Sequence, residues 1–247
     1  GGAHLCIGQH FADMEVKSVM HQVLRRFAWQ VRDGYRMPYQ LVPIAKPLGQ
    51  WRLALPQTIM LDALEPAVAQ AFERAIGTLR TAGAAITDID LPLLQEAASL
   101  QRGGGIPAAE SWAWHRDALA AREAQYDPRV AQRIRRGEAI KDYAELLTER
   151  GAWIARMNAA LSGFDALLSP TVPTVAPRPQ PLIDSDDAFF AANALLLRNP
   201  SLINLADGCA LSLPCHRAGD WPVGLMVWST AMADDRVLGV SLAIETA

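Results

Sequence analysis

The sequence predicts an α/β fold: a partial mixed sheet flanked by helices, preceded by a helix plus short strands. Three observations carry this. Strand, helix and strand patterns follow one another between residues 51 and 92, the signature of a βαβ unit with a parallel pair. The alternation returns near the end of the chain, with helical patterns at 187–198 and 235–246 around apolar strand patterns at 210–214 and 223–228. Hydrophobic residues make up 51% of the 247 positions and charged residues 20%, the balance of a folded globular chain.

The first helix runs from Gln9 to Phe27. Phe11, Met14, Val16, Val19, Met20, Val23, Leu24 and Phe27 recur at three- and four-residue steps, with Glu15, Lys17, Gln22 and Arg25 between them. Asp33-Gly34 then marks a turn, and Pro38, Pro43 and Pro47 confine any strand there to an edge. Residues 48–50 read as a boundary. Beyond it, Trp51, Leu53 and Leu55 alternate as in a strand. Pro66 suits a first helical turn, ahead of a Val68, Phe72, Ile76 and Leu79 stripe that Gly83 stops. Residues 84–92 form the next strand.

Helices are expected over 107–124, 128–137 and 141–161. In the last, Asp142 and Glu145 have capping-box spacing, and Tyr143, Leu146, Leu147, Trp153, Ile154, Met157 and Leu161 form the stripe expected to be buried. A short strand at 164–170 ends at Pro170. The loop 170–181 carries five prolines in twelve residues, which makes it stiff and extended.

A net charge of -3 gives no electrostatic support for binding nucleic acid or an anionic membrane. No apolar run approaches the roughly 18 residues of a membrane span, and no signal peptide is recognised, so a cytoplasmic location is expected. Cys6, Cys209 and Cys215 are too few and too scattered for a disulfide framework.

Cys6 lies just before the first helical pattern, where unpaired N–H groups and the helix dipole favour a thiolate. A thiolate suits a soft metal or the iron of haem, and the flanking Gly2 and Gly8 let the backbone approach a flat ligand. "GGAHLCIGQHFADMEVK" resembles the haem-ligand loop and following helix of the cytochrome P-450 monooxygenases, whose motif is Phe-Gly-x-Gly-x-His/Arg-x-Cys-x-Gly. The resemblance continues to residue 47. It implies Cys6 as the iron ligand, His4 at the propionate-contacting position, and Gly2 and Gly8 as the motif glycines; the motif's Phe and first Gly have no counterpart. The implied cofactor is haem, with Cys6 its metal ligand. One loop and one helix are too little to enclose a porphyrin. His4 and His10 near Cys6 also suggest zinc, for which a fourth ligand is not evident.

Residues 51–247 resemble the C-terminal part of the amidase signature family, hydrolases of amide C–N bonds. The matching stretches include "LALPQTIMLDALEPAVAQAFERAI", "YDPRVAQRI", "FDALLSPTVPTVAP" and "NLADGCALSLPC". That family's chemistry uses two serines and a lysine, with the serines in a Gly/Ser-rich stretch upstream of everything matched here. No residue of this segment takes their place, so no catalytic residue is assigned. "RGGGIPA" at 102–108 has no serine, and Lys141 lies on an expected helix without a serine-rich partner. Ser169 and Ser212 read as strand residues without a nucleophile elbow. Cys215-His216 is a conceivable dyad, but strand neighbours point to opposite faces, which favours packing for both Cys209 and Cys215. His115 reads as a partly exposed polar residue.

The expectation is therefore a haem-thiolate C-terminal fragment at 1–47, a junction at 48–50, and the C-terminal portion of an amidase at 51–247, inactive alone. Two alternatives stand beside it: a haem-binding oxidoreductase fragment using Cys6, and a non-catalytic subunit completed by another chain. Half of an α/β sheet leaves open edges, which invite self-association or a complementing chain.

Overall fold

The computed structural model describes residues 46–247. Cys6, His4, Gly2, Gly8 and the helix expected over 9–27 lie outside the described residues, as does the turn at Asp33-Gly34.

Strand β1 (Arg52–Pro56) leads through a loop to helix α1 (Pro66–Thr81), which begins on its proline as the sequence suggests, and strand β2 (Ala85–Ile89) follows. β1 and β2 pair in parallel, with Arg52 opposite Ala85 and Pro56 opposite Ile89. Helices α2 (Leu93–Leu100), α3 (Gly105–Arg122), α4 (Pro128–Arg136) and α5 (Tyr143–Leu161) intervene before strand β3 (Ala166–Pro170). A short α6 (Pro179–Asp184) and long α7 (Asp186–Leu205) precede strands β4 (Cys209–Pro214) and β5 (Gly224–Ser229), and α8 (Asp234–Glu245) ends the chain. The sheet order is β2-β1-β3-β5-β4. β3 runs parallel to β1, whereas β5 is antiparallel to both β3 and β4. The expected α/β class with a mixed sheet holds.

Both faces of the sheet are covered, which is why β1 and β3 are buried almost throughout. On one face, Ala54, Leu167, Met226 and Trp228 pack under α2, α5 and α7 through Leu94, Trp153, Met157, Leu202 and Ile203. On the other, Leu53, Leu55, Leu168, Leu225 and Val227 pack under α1 and α8 through Phe72, Ile76, Val237 and Val240. Leu48, in the stretch expected as a junction, is buried in that second layer. α3 and α4 form a satellite core from Leu119, Ala131 and Ile134.

Several local expectations need correction. Tyr143 and Leu147 do not share the buried stripe of α5: they are 36% and 41% exposed, because that helix turns Leu146, Trp153, Met157 and Leu161 inward, with Ile154 partly buried beside them. The Asp142 carboxylate does not cap α5. It accepts two hydrogen bonds from Arg102, at 3.0 Å from Nε and 2.7 Å from Nη2, a charge-assisted pairing that outcompetes backbone N–H groups. α7 runs on through Pro200, past the end expected at 198, and α2 has no counterpart among the helices expected from sequence. In both cases core burial (Leu202, Ile203 and Leu205 on α7; Leu94, Ala97 and Leu100 on α2) outweighs weak local signals. Gly103, Gly104 and Gly105 all have positive φ, so "RGGG" is a sharp reversal into α3 that side chains would strain.

Candidate functional site

The carboxyl ends of parallel strands are where open α/β sheets place ligands. Here that end is built by two loops, 57–65 after β1 and 171–178 after β3, with the turn into β5 beside them. The first loop is irregular: Ile59 and Ala63 both sit at positive φ. Its shape is held from outside. Asn199, fully buried on α7, donates through Nδ2 to the Met60 carbonyl at 3.1 Å and to the Pro170 carbonyl at 2.8 Å. One side chain thus ties both loops to one helix. The neighbouring Arg198 donates to the carbonyls of Asp62 at 2.7 Å and Met60 at 3.3 Å, and to Asn199 Oδ1 at 3.1 Å. Burial pulls its guanidinium below the usual arginine range. Glu65 completes the tie: its carboxylate accepts from Val175 N–H at 2.9 Å, and its own N–H donates to Pro173 O at 2.8 Å.

Two hydroxyls stand at this rim. Thr171 Oγ1 and Ser212 Oγ are 2.6 Å apart. They close over Gly224, where a Cβ would lie 2.6 Å from Thr171 Oγ1 and still nearer Ser212 Oγ, so the site needs glycine there. One O–H donates to the other oxygen, which leaves the second O–H free for an acceptor. Among the described residues each hydroxyl is the other's side-chain partner, and no lysine, histidine or carboxylate activates the pair. Ser169, one register step away on β3, is fully buried on the α7 side of the sheet.

A second polar feature flanks α7. Arg129, Arg133 and Arg136 recur at helical spacing on α4 and face the N-terminal half of α7. The Arg129 guanidinium lies over Phe189 at 4.4 Å and binds Asp186 at 2.7 Å; that of Arg136 lies over Phe190 at 5.3 Å. Arg133 donates to the neutral Asn193 Oδ1 at 2.8 Å and has no carboxylate among the described residues. α7 therefore links the arginine row at Asn193 to the loop clamp at Asn199, about 9 Å along the helix axis at 1.5 Å per residue.

The residues weighed from sequence fall elsewhere. Lys141 Nζ donates to the Glu138 carbonyl at 2.7 Å, and His115 Nδ1 meets Tyr126 Oη at 3.0 Å, half-buried. Cys209 and Cys215 both pack on the α1–α8 layer, as the packing reading expects. Burial pushes the Cys215 thiol up to about 11 and raises Cys209 as well, which disfavours nucleophilic thiolates. His216 Nδ1 accepts from Val223 N–H at 3.2 Å, so its ring serves the β4–β5 turn rather than Cys215. Among the described residues no group of three or more metal ligands is assembled. Sequence reasoning does not single out Thr171, Asn199, Arg198 or Arg133. The rigid Pro-rich loop holding Thr171 and the Arg spacing of "PRVAQRIRR" are the signals that could find two of them.

The model of the Amidase family matches residues 15–238. This chain belongs to the amidase family. The matched span takes in the junction at 48–50 and most of the stretch resembling haem-thiolate proteins. Among curated relatives, it is 32% identical over 200 residues to 2-amino-5-chloromuconic acid deaminase of Comamonas testosteroni, covering 78% of this chain and 42% of that one. It is 30% identical over 223 residues to a glutamyl-tRNA(Gln) amidotransferase subunit of Salinispora arenicola, covering 79% and 44%. The amidase-family chain thus spans less than half the length of these relatives. Kluyveromyces lactis allophanate hydrolase shares the fold, with a TM-score of 0.70 at 24% identity over 83% of this chain and 33% of that one. A crystal structure of an amidase gives 0.62 at 25% identity, over 79% and 45%. No helix among the described residues is long and apolar enough to cross a membrane.

Proposed function

We propose that this chain supplies the substrate-side part of an amide hydrolase acting on amides that also carry a carboxylate, and that it does not itself hold the nucleophile. Membership of the amidase family supports the reaction class, hydrolysis of a C–N bond. The observation that carries the substrate class is Arg133, a guanidinium whose side-chain partner is a neutral amide oxygen. Its remaining N–H groups suit a carboxylate, which a guanidinium binds through paired, charge-assisted bonds. The Comamonas relative is named for an acidic substrate, in keeping with this.

In this reading Arg133 holds the substrate carboxylate, and the Thr171–Ser212 pair keeps one O–H free at the loop rim. The clamp of Asn199, Arg198 and Glu65 keeps the rim from rearranging when substrate arrives. Catalysis by acyl transfer also needs a nucleophile, a base within hydrogen-bond reach and an oxyanion site. The hydroxyl pair has no base beside it, and the serine-rich stretch of the family has no counterpart among residues 48–247. The isolated chain is accordingly a binding element rather than a complete enzyme.

Succinamate, which carries one amide and one carboxylate, is a direct probe. Calorimetric titration is expected to show binding, and Arg133→Ala to weaken it at least about tenfold, the loss of a charge-assisted bond. Equal binding by the variant, or none by the parent chain, would overturn the carboxylate assignment.

A second reading concerns residues 1–47. "GGAHLCIG" favours thiolate ligation of haem by Cys6, with His4 towards a propionate and Gly2 and Gly8 lining the approach; residues 48–50 would then join a haem-thiolate segment to the amidase part. Haem would supply oxygen-activating chemistry there. A thiolate-type Soret band in the reduced-CO spectrum of haem-reconstituted protein, absent in Cys6→Ala, is the expected result. A titration without that band would end this reading.

A further inference from the structure

The three arginines facing α7 are not equivalent. Asp127 caps α4: its carboxylate accepts from Arg129 N–H at 2.8 Å and Val130 N–H at 3.2 Å, and Pro128 supplies the first helical residue. The cap fixes the start of the helix, and Arg129 and Arg133, four residues apart, come to lie on one face. Arg129 is used on its edge and on its face. Nε donates to Asp186 Oδ1 at 2.7 Å, Nη2 donates to the Ile183 carbonyl at 3.1 Å, and the guanidinium carbon lies 4.4 Å from the centre of the Phe189 ring. Those partners stand on both sides of Ser185, where α6 gives way to α7.

The ion pair alone is a weak seat. Asp186 is 68% exposed, and a pair open to water adds little. The carbonyl bond and the aromatic face supply the geometry that the charge does not, and the Arg129 side chain is correspondingly only 21% exposed. Arg133 differs: its side-chain contact is the neutral Asn193 Oδ1 at 2.8 Å. Asn193 lies four residues beyond Phe189, as Arg133 lies four beyond Arg129. The two contacts therefore occupy adjacent turns of both helices, about 6 Å apart along each axis. At its other half α7 is seated in the core through Asn199, Leu202, Ile203 and Leu205, so the corner under Arg129 has a fixed base.

We infer that Arg129 is a positioning residue for Arg133, seating α4 on the α6–α7 corner and so setting where the Arg133 guanidinium stands for a substrate carboxylate. This role rests on Arg133 being the carboxylate site and adds what holds it there. The stacked face of Arg129 and its bonds to Asp186 and Ile183 turn it towards the corner rather than towards a ligand. A guanidinium placed in advance loses less freedom on binding, which is how a residue that touches no ligand strengthens affinity.

Two measurements on the whole chain test this. In calorimetry with succinamate, Arg129→Ala is expected to weaken binding at least about fivefold with unchanged circular dichroism. The double variant Arg129→Ala/Arg133→Ala should bind no more weakly than Arg133→Ala alone, whereas a direct contact from Arg129 to the ligand would make the losses add. Two further variants separate seating from attraction by charge. Phe189→Leu alters no charge and should still weaken binding. Asp186→Ala removes a carboxylate, which through the field alone would strengthen binding of an anion; loss of the seat weakens it instead. The second measurement needs no ligand: rotation of the Arg133 guanidinium about Nε–Cζ, read by nitrogen NMR, should be hindered in the parent chain and quicken in Arg129→Ala. Parent-like binding in Arg129→Ala or Phe189→Leu, additive losses, tighter binding in Asp186→Ala, or equal rotation in parent and variant would each overturn the positioning role. A parent chain that binds no succinamate overturns the carboxylate assignment, and the rotation measurement still decides whether Arg129 holds Arg133, so the two proposals fail separately.

Discussion

Asn199→Leu is expected to lower the unfolding free energy by about 2–4 kcal/mol, one of the largest single-residue effects in the chain. Leucine has the same branched skeleton, so the loss is chiefly one of hydrogen bonding, with some crowding from its methyl groups added. The Pro170 carbonyl loses the donor at 2.8 Å, and Arg198 Nε loses its acceptor at 3.1 Å. Met60 O keeps only the longer bond from Arg198, at 3.3 Å. Asn199→Asp separates this account from simple bulk. It keeps the acceptor that Arg198 Nε uses but loses the Nδ2 donor to the Met60 and Pro170 carbonyls. Urea unfolding is the measurement: Asn199→Asp should be destabilised although its side chain is no larger, whereas parent-like stability in that variant would contradict the clamp.

Trp153→Ala is expected to cost about 3–5 kcal/mol, the range for truncating a large buried aromatic side chain. Trp153 is 1% exposed, packs in the core beneath α2 and α7, and donates from Nε1 to the Leu93 carbonyl at 2.8 Å. That bond adds a second donor to a carbonyl in the first turn of α2, so the indole both fills the layer and fixes where α2 lies. Trp153→Phe should retain most of the packing and cost less, about 1–2 kcal/mol, for the lost hydrogen bond and the smaller ring. Equilibrium unfolding that gave the two variants equal stability would show that packing carries nothing here.

The central strands of the sheet are legible in the sequence because they are buried on both faces. Apolar strands such as "LALP", "ALLSP" and "GLMVW" stand out without long-range information, and Pro66 and Gly83 mark the ends of the helix between the first two strands. What is illegible depends on partners distant in sequence. Asp142 looks like a helix cap until Arg102, forty residues earlier, takes its carboxylate. Pro200 looks like a stop until the core beneath α7 makes continuation favourable. Asn199 is one polar residue in an apolar helix, and its role emerges only when Met60 and Pro170 arrive beside it. The hydroxyl pair is similar: Thr171 and Ser212 are 41 residues apart and meet because β5 lies between their strands. The amidase resemblance is legible in several stretches taken in order, and the family match extends it upstream to residue 15.

The most direct test of the central claim, that this chain binds an amide substrate but holds no nucleophile, is a single assay of the purified protein. Ammonia release from succinamate should match the protein-free blank, and intact mass should show no adduct after treatment with a serine-directed fluorophosphonate. Turnover above the blank that is abolished by Thr171→Val or Ser212→Ala would contradict the claim and place the nucleophile in this chain.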